Sequence, residues 1–292
     1  MPKIQNDKYY TPPDLAQYCV EKTKEIIGAD NITEYIEPSA GAGVFLDYLD
    51  KPYLAYDIEP EDDRIIQADW LGVNLEYKRG RCVIGNPPFG SRNTLAVQFY
   101  KQSVKLSDYI SFILPISQFN NNQQMYEFDL IYSEDLKKRN YSEREIHCCF
   151  NIYRRNSNGT NKKPDCKLKD VSIKEFRSKQ ASLGSEEQYD LMFCFWGNAI
   201  GRICNKGDYS HIMGIKIHNK IYREKIIEVL STTNWQSVYN FVATPALYQW
   251  QIYKYLKEQI PELEWKLYFI LVKGENTYEK FKVRNGRNSF HS

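Results

Sequence analysis

Asn86-Pro87-Pro88-Phe89 sets a side-chain amide oxygen beside a proline carbonyl, directly after the apolar run Cys82-Val83-Ile84-Gly85. Two acceptors so placed can bind both hydrogens of an aromatic amine and hold the nitrogen lone pair toward an electrophile. The paired prolines restrict the turn and lack N–H donors, which keeps the surroundings an acceptor environment. Phe89 offers a ring for stacking. Upstream, Tyr35-Ile36 leads into Glu37-Pro38-Ser39-Ala40-Gly41-Ala42-Gly43, where glycines lacking a Cβ let backbone approach a ligand. A second apolar run, Tyr53 to Tyr56, ends at Asp57, where an acidic side chain can accept both hydroxyls of a ribose. Ile58 can then pack on a purine face and Asp69, before Trp70, can accept from an adenine amine. Such a set fits any adenosine-containing cofactor, NAD included.

The elements that must position these residues alternate along the first half. Thr11-Pro12-Pro13-Asp14 opens a helix that Gly28 ends. Strands are predicted at 34–37, 53–57, 82–85 and 109–114, with helices at 43–50 and 94–106. That alternation predicts an α/β class, a parallel sheet with helices on both faces, and ligands bound beyond the carboxyl ends of its strands. Further strands are read at 128–132 and 145–153, the second with Ile146, Cys148 and Phe150 on one face. Residues 156–169 are polar and basic and read as a loop. Beyond them, strands at 189–196 and 211–217 and helices at 222–230 and 246–260 predict a smaller, mixed α+β region.

A chain of 292 residues, 42% hydrophobic, can bury a large core and accommodate one or two domains. No stretch approaches the roughly 18 uncharged apolar residues of a membrane span, and residues 1–7 lack an apolar signal core, so a soluble cytoplasmic protein is expected. Seven cysteines without a Cys-x-x-Cys pair argue against a disulfide framework and a zinc site; His147, Cys148 and Cys149, adjacent on a strand, cannot easily share one metal, and none is expected. Residues 1–150 carry 16 Lys/Arg against 23 Asp/Glu, net −7, whereas residues 151–292 carry 23 against 14, net +9. The basic half is the expected nucleic-acid surface.

Taken in order, Tyr10-Thr11-Pro12-Pro13, the glycine turn, Asp57, Asp69 and Asn-Pro-Pro-Phe resemble the γ class of DNA adenine-N6 methyltransferases of bacterial and phage restriction-modification systems. The resemblance covers residues 9 to about 115. Two features favour S-adenosylmethionine over a dinucleotide: the turn lacks the third glycine of the dinucleotide pattern, and Asn-Pro-Pro-Phe has no counterpart in hydride-transfer enzymes. The resemblance implies a Rossmann-like catalytic domain over residues 1–153 and a target-recognition domain over 154–292, short for the class.

It also implies roles. Tyr10, Thr11 and Pro12, with Glu37, Pro38, Ser39, Ala40, Gly41 and Gly43, lie around the methionine end of the cofactor; Asp57 takes the ribose; Ile58, Asp69 and Trp70 adjoin the adenine. Asn86, Pro87, Pro88 and Phe89 form the catalytic pocket for a base flipped out of the duplex. Phe150 is the second stacking aromatic, with Tyr153 as the other candidate. Arg154, Arg155, Lys162, Lys163 and Lys167 contact phosphates of double-stranded DNA. A cognate restriction endonuclease is an implied partner, and the enzyme works as a monomer or dimer. Asn-Pro-Pro-[Phe/Tyr] also occurs in methyltransferases of RNA adenine or guanine and of protein glutamine, and a binder of the same fold without turnover is a further reading.

Overall fold

The computed structural model describes residues 10–90, 93–141, 144–184, 186–239, 245–269 and 280–284; of residues 144, 265–269 and 280–284 only the backbone is described. Its contacts divide the chain into two units, Met1–Pro164 and Asp165–Ser292.

The first unit opens with α1 (Pro13–Ile27), started by Pro13 in its first turn and ended by Gly28 at φ 87°. Strands β1 (Glu34–Glu37), β2 (Tyr53–Asp57), β3 (Ile66–Gln67) and β4 (Arg81–Gly85) follow, then α2 (Thr94–Leu106), β5 (Tyr109–Pro115), β6 (Asp129–Tyr141) and β7 (Arg144–Arg154). They form one seven-stranded sheet in the order β3-β2-β1-β4-β5-β7-β6. The first five strands run parallel, and β7 is antiparallel to both β5 and β6.

The apolar runs of the central strands have a plain cause: both faces of the sheet are covered. Ile36, Val83, Phe112 and Leu114 point into one core with Ala96, Phe99 and Tyr100 of α2. Tyr35, Cys82, Ile84 and Ile113 point into the other with Leu15, Ala16 and Cys19 of α1. The unit is therefore a three-layer, Rossmann-like α/β sheet with helices on both faces, the class read from the sequence.

The helix predicted at 43–50 is a 3-10 turn, Leu46–Tyr48. Leu49 is already extended, and Pro52 disfavours helical backbone at Lys51 immediately before β2. Ala40 and Leu46 pack on Ala55 and Ile65 to support the glycine turn from below.

The second unit has β8 (Val171–Phe176), α3 (Lys179–Leu183), β9 (Leu191–Cys194), β10 (Ile212–Ile217), α4 (Arg223–Thr232), α5 (Trp235–Val238), α6 (Gln249–Gln259), β11 (Trp265–Phe269) and β12 (Lys280–Arg284). β10 pairs antiparallel with β8 and β9 on its two sides, and β11 pairs with β12. Phe193, Ile215, Ile226, Leu230, Trp235, Ile252 and Leu256 share a core of its own. The split after Pro164 lies beyond the predicted 153/154 boundary because the segment after β7 is tied back to the first unit. Arg155 bonds to the end of α2, and Asn161 donates to Glu127 O at 2.7 Å and Asp129 Oδ1 at 2.8 Å. No helix among the described residues is long and apolar enough to cross a membrane.

Candidate active site

The strand order reverses between β1 and β4: β2 and β3 extend to one side, β5 to the other. Such a switch point opens a crevice at the carboxyl edge of the sheet. Glu37 closes β1 there, Asp57 closes β2, and Asn86 follows Gly85 at the end of β4.

Hydrogen bonds join the separated segments. Asn86 Nδ2 donates to Thr11 Oγ1 at 3.2 Å, Ser39 Oγ donates to the Asn86 carbonyl at 3.3 Å, and the Gly41 N–H donates to Asp57 Oδ2 at 2.8 Å. Tyr10 donates from its hydroxyl to Glu61, with its ring against Gly41. Thr11 is buried and Pro12 accepts from Leu15 and Ala16, so the start of α1 fixes the position of the threonine. Ala40 donates to the Tyr56 carbonyl at 2.9 Å, binding the turn to β2.

Asn86, Pro88 and Phe89 are half-buried, and Pro87 and Pro38 are buried. Thr11 engages the nitrogen of the Asn86 amide, whose oxygen is an acceptor. Asp57 is buried, its Oδ1 also accepting from the Glu59 N–H at 2.8 Å. Each carboxylate oxygen keeps a further lone-pair direction for a hydroxyl donor. Ile58 is 58% exposed beside it. Asp69 is exposed and caps the following 3-10 turn, Oδ1 accepting from the Leu71 N–H at 3.0 Å.

Gly43, at φ 77°, packs between Leu46 and the Asp62–Arg64 pair. Gly85 has φ 153°, and a Cβ there would sit 3.3 Å from Glu37 Cγ. Glycine is therefore required where β4 passes the carboxyl of β1. Glu37 itself is 2% exposed; burial first, and then the neighbouring Asp57 charge, push its carboxyl well above the usual range, with Arg64 opposing.

An adenosine-bearing cation fits this arrangement: a paired carboxylate and an exposed apolar side chain on one side, an orphaned buried carboxyl oxygen in the middle, and an oriented amide on the other.

Several predicted residues lie elsewhere. Trp70 is 1% exposed; its indole N–H donates to Phe99 O at 3.4 Å and its ring meets Tyr56 at 5.8 Å, so it fills the α2 core and has no face for an adenine. Phe150 is 0% exposed, opposite Ile113 in the α1 core, and Tyr153 is buried in the other core with its hydroxyl accepting from Asn151 at 2.9 Å; neither can stack on a base. Arg154 pairs with Tyr109 at the amino end of β5, whereas Pro115 and Cys148 mark the other end. The length of β5 thus separates Arg154 from the motif loops by roughly 20 Å. Arg155 Nη2 donates to Ser107 O at 2.9 Å and also to Val104 O, and the guanidinium stacks over Tyr77 and Phe128, so it caps α2. Lys162 and Lys163 are exposed but follow Asn161, which is tied to Asp129 opposite Arg154, and they belong to the first unit. Lys167 is exposed at the start of the second.

Sequence reading passed over Glu61, the partner of Tyr10, and Phe119. Phe119 follows the end of β5, beside β4 in the sheet, and is 38% exposed. Asn93, after the Asn-Pro-Pro-Phe loop, donates to Ser117 Oγ at 2.8 Å in the same segment. The place of Phe119, one 3-10 turn beyond the end of a strand neighbouring β4, was the available signal.

No family model and no curated protein matches the sequence. Among solved structures, the chain is similar to a candidate RNA methyltransferase from Pyrococcus horikoshii, with 17% identity over 53% of this chain and 89% of that one and a TM-score of 0.43. A Thermoplasma acidophilum protein gives 21% identity, 53% and 93% coverage and 0.40. A candidate class I S-adenosylmethionine-dependent methyltransferase from Listeria monocytogenes gives 14%, 53% and 63%, and 0.39.

Proposed function

We propose that the chain is an S-adenosylmethionine-dependent methyltransferase that modifies the N6 amine of adenine in a specific DNA sequence. One observation carries this reading: Thr11 and Ser39 both hold Asn86, so the amine-binding turn and the glycine turn share one crevice at the switch point. The cofactor, when bound, supplies a methyl group already activated on a positively charged sulfur.

The chain's own residues then position the partners. Asp57 accepts from the ribose hydroxyls, Ile58 covers a purine face, and the second oxygen of Asp69 accepts from the adenine amine. Asn86 Oδ1 and the Pro87 carbonyl each accept one hydrogen of the target amine, which turns its lone pair toward the methyl group. Phe89 and Phe119 take the two faces of the extruded base, offsetting a flipping cost of a few kcal/mol. The basic second unit, from Lys167 onward, reads the duplex and contacts phosphates. A restriction endonuclease with the same recognition sequence is the partner such a mark would serve.

Two substitutions separate the roles. Asn86→Ala should lower transfer by at least about 100-fold while the cofactor Kd stays within a few fold, because the lost acceptor serves the target amine. Asp57→Ala should weaken cofactor binding by tenfold or more and cost about 1–3 kcal/mol of stability, because the Gly41 and Glu59 N–H groups lose their acceptor. Calorimetric cofactor titration beside single-turnover transfer reads both. Substantial turnover by Asn86→Ala would refute the assigned chemistry.

A further inference from the structure

Glu37 carries a carboxyl that the hydrogen-bond network of the site leaves over. It closes β1, is 2% exposed, and its Oε2 has no hydrogen-bond partner among the described residues. Among the described residues, the charged groups around it do not neutralise it. From β2 it faces Asp57, a second acid. Arg64 lies in the loop after β2, and its guanidinium is already committed to Asp47 at 2.8 Å and Asp62 at 2.7 Å. From β4 it meets the uncharged Gly85, where a Cβ would lie 3.7 Å from Oε1. Burial and the Asp57 charge raise its pKa well above that of an ordinary carboxyl. A carboxyl so enclosed holds its proton, because an unpaired buried carboxylate is costly.

The sheet order says what must pass over it. β1 lies between β2 and β4, and all three run parallel. A ligand with its ribose at Asp57 and its reactive methyl group at Asn86 therefore spans the carboxyl end of β1. The half of the cofactor that spans it carries an ammonium and a sulfonium against one carboxylate, a net positive charge.

We propose, on the methyltransferase reading above, that Glu37 is neutral in the free protein and releases its proton to solvent when the cationic methionine half of the cofactor binds over it. The step balances: the carboxyl O–H bond breaks, the proton goes to bulk water, and the carboxylate pairs with the ligand cation, with no covalent bond to the ligand. Binding thus selects the ionised form. Affinity rises with pH, by about tenfold per unit, for as long as the free carboxyl remains protonated, and falls as pH is lowered.

Calorimetry at about pH 6.5, where the ligand's α-amino group stays protonated, in buffers of different ionisation enthalpy counts the protons released. With S-adenosylmethionine the wild-type protein should release close to one. With 5′-methylthioadenosine, which keeps the adenosine half but carries neither cation, release should be near zero. Glu37→Gln should bind S-adenosylmethionine without release. No release from the wild-type protein on binding S-adenosylmethionine, or equal release from Glu37→Gln, would overturn the proposal and leave the methyltransferase reading standing. The contrast between the two ligands needs only the wild-type chain. If that chain bound neither ligand, the methyltransferase reading itself would fail, and the proton proposal with it.

Discussion

Asn86 shows how a side chain is given a direction by what it does not offer the substrate: its nitrogen is held by Thr11, 75 positions earlier, which leaves the oxygen as acceptor. The stacking aromatics carry a sharper lesson. Alternation along β7 correctly sets Phe150 on one face with Cys148, but helices cover both faces of this sheet, so either face leads into a core. Phe119 sits past a strand end, where the chain leaves the sheet and a side chain can meet a ligand. Phe119→Ala should raise the KM for DNA by about tenfold, one stacked base being worth roughly 1–3 kcal/mol, while changing stability little. Phe150→Ala should cost about 3–5 kcal/mol of stability. DNA-binding assays paired with denaturant titration distinguish the two; a DNA defect confined to Phe150→Ala would reverse the assignment.

The strands that frame the site could be read from sequence because they are buried on both faces and therefore almost wholly apolar: Tyr35-Ile36, Cys82-Val83-Ile84, and Ile110 to Leu114 with the buried Ser111 inside it. What could not be read depended on distant backbone. Arg155 follows another arginine in a basic segment, and only the fold reveals that its acceptors are the last carbonyls of α2, about 50 positions earlier. Trp70 follows Asp69, which does face solvent, yet the 3-10 turn begun at Asp69 rotates the indole inward. At this scale Arg155→Ala should destabilise the first unit by about 1–3 kcal/mol, since it leaves those carbonyls without the guanidinium and removes the ion pair with Asp108. DNA affinity of the folded variant should be unchanged. Thermal melts and a DNA titration check both, and weakened DNA binding at unaltered stability would return Arg155 to the interface.

Across the whole chain, the charge contrast read between the two halves narrows once the units are drawn. Residues 151–164 add four cations and no acid, so Met1–Pro164 carries net −3 and Asp165–Ser292 net +5. The cations Arg154, Lys162 and Lys163 start from the amino edge of the first sheet, away from the motif loops. Replacing all three by Ala should leave the slope of log affinity against log salt within about one unit, whereas three phosphate contacts would remove about 0.9 each. The decisive measurement is transfer of labelled methyl from S-adenosylmethionine to unmethylated genomic DNA, with the modified nucleosides resolved by mass spectrometry and RNA and protein run alongside. N6-methyladenine in the DNA is the predicted product; label confined to RNA or protein, or cofactor binding with no label in any polymer, would contradict it.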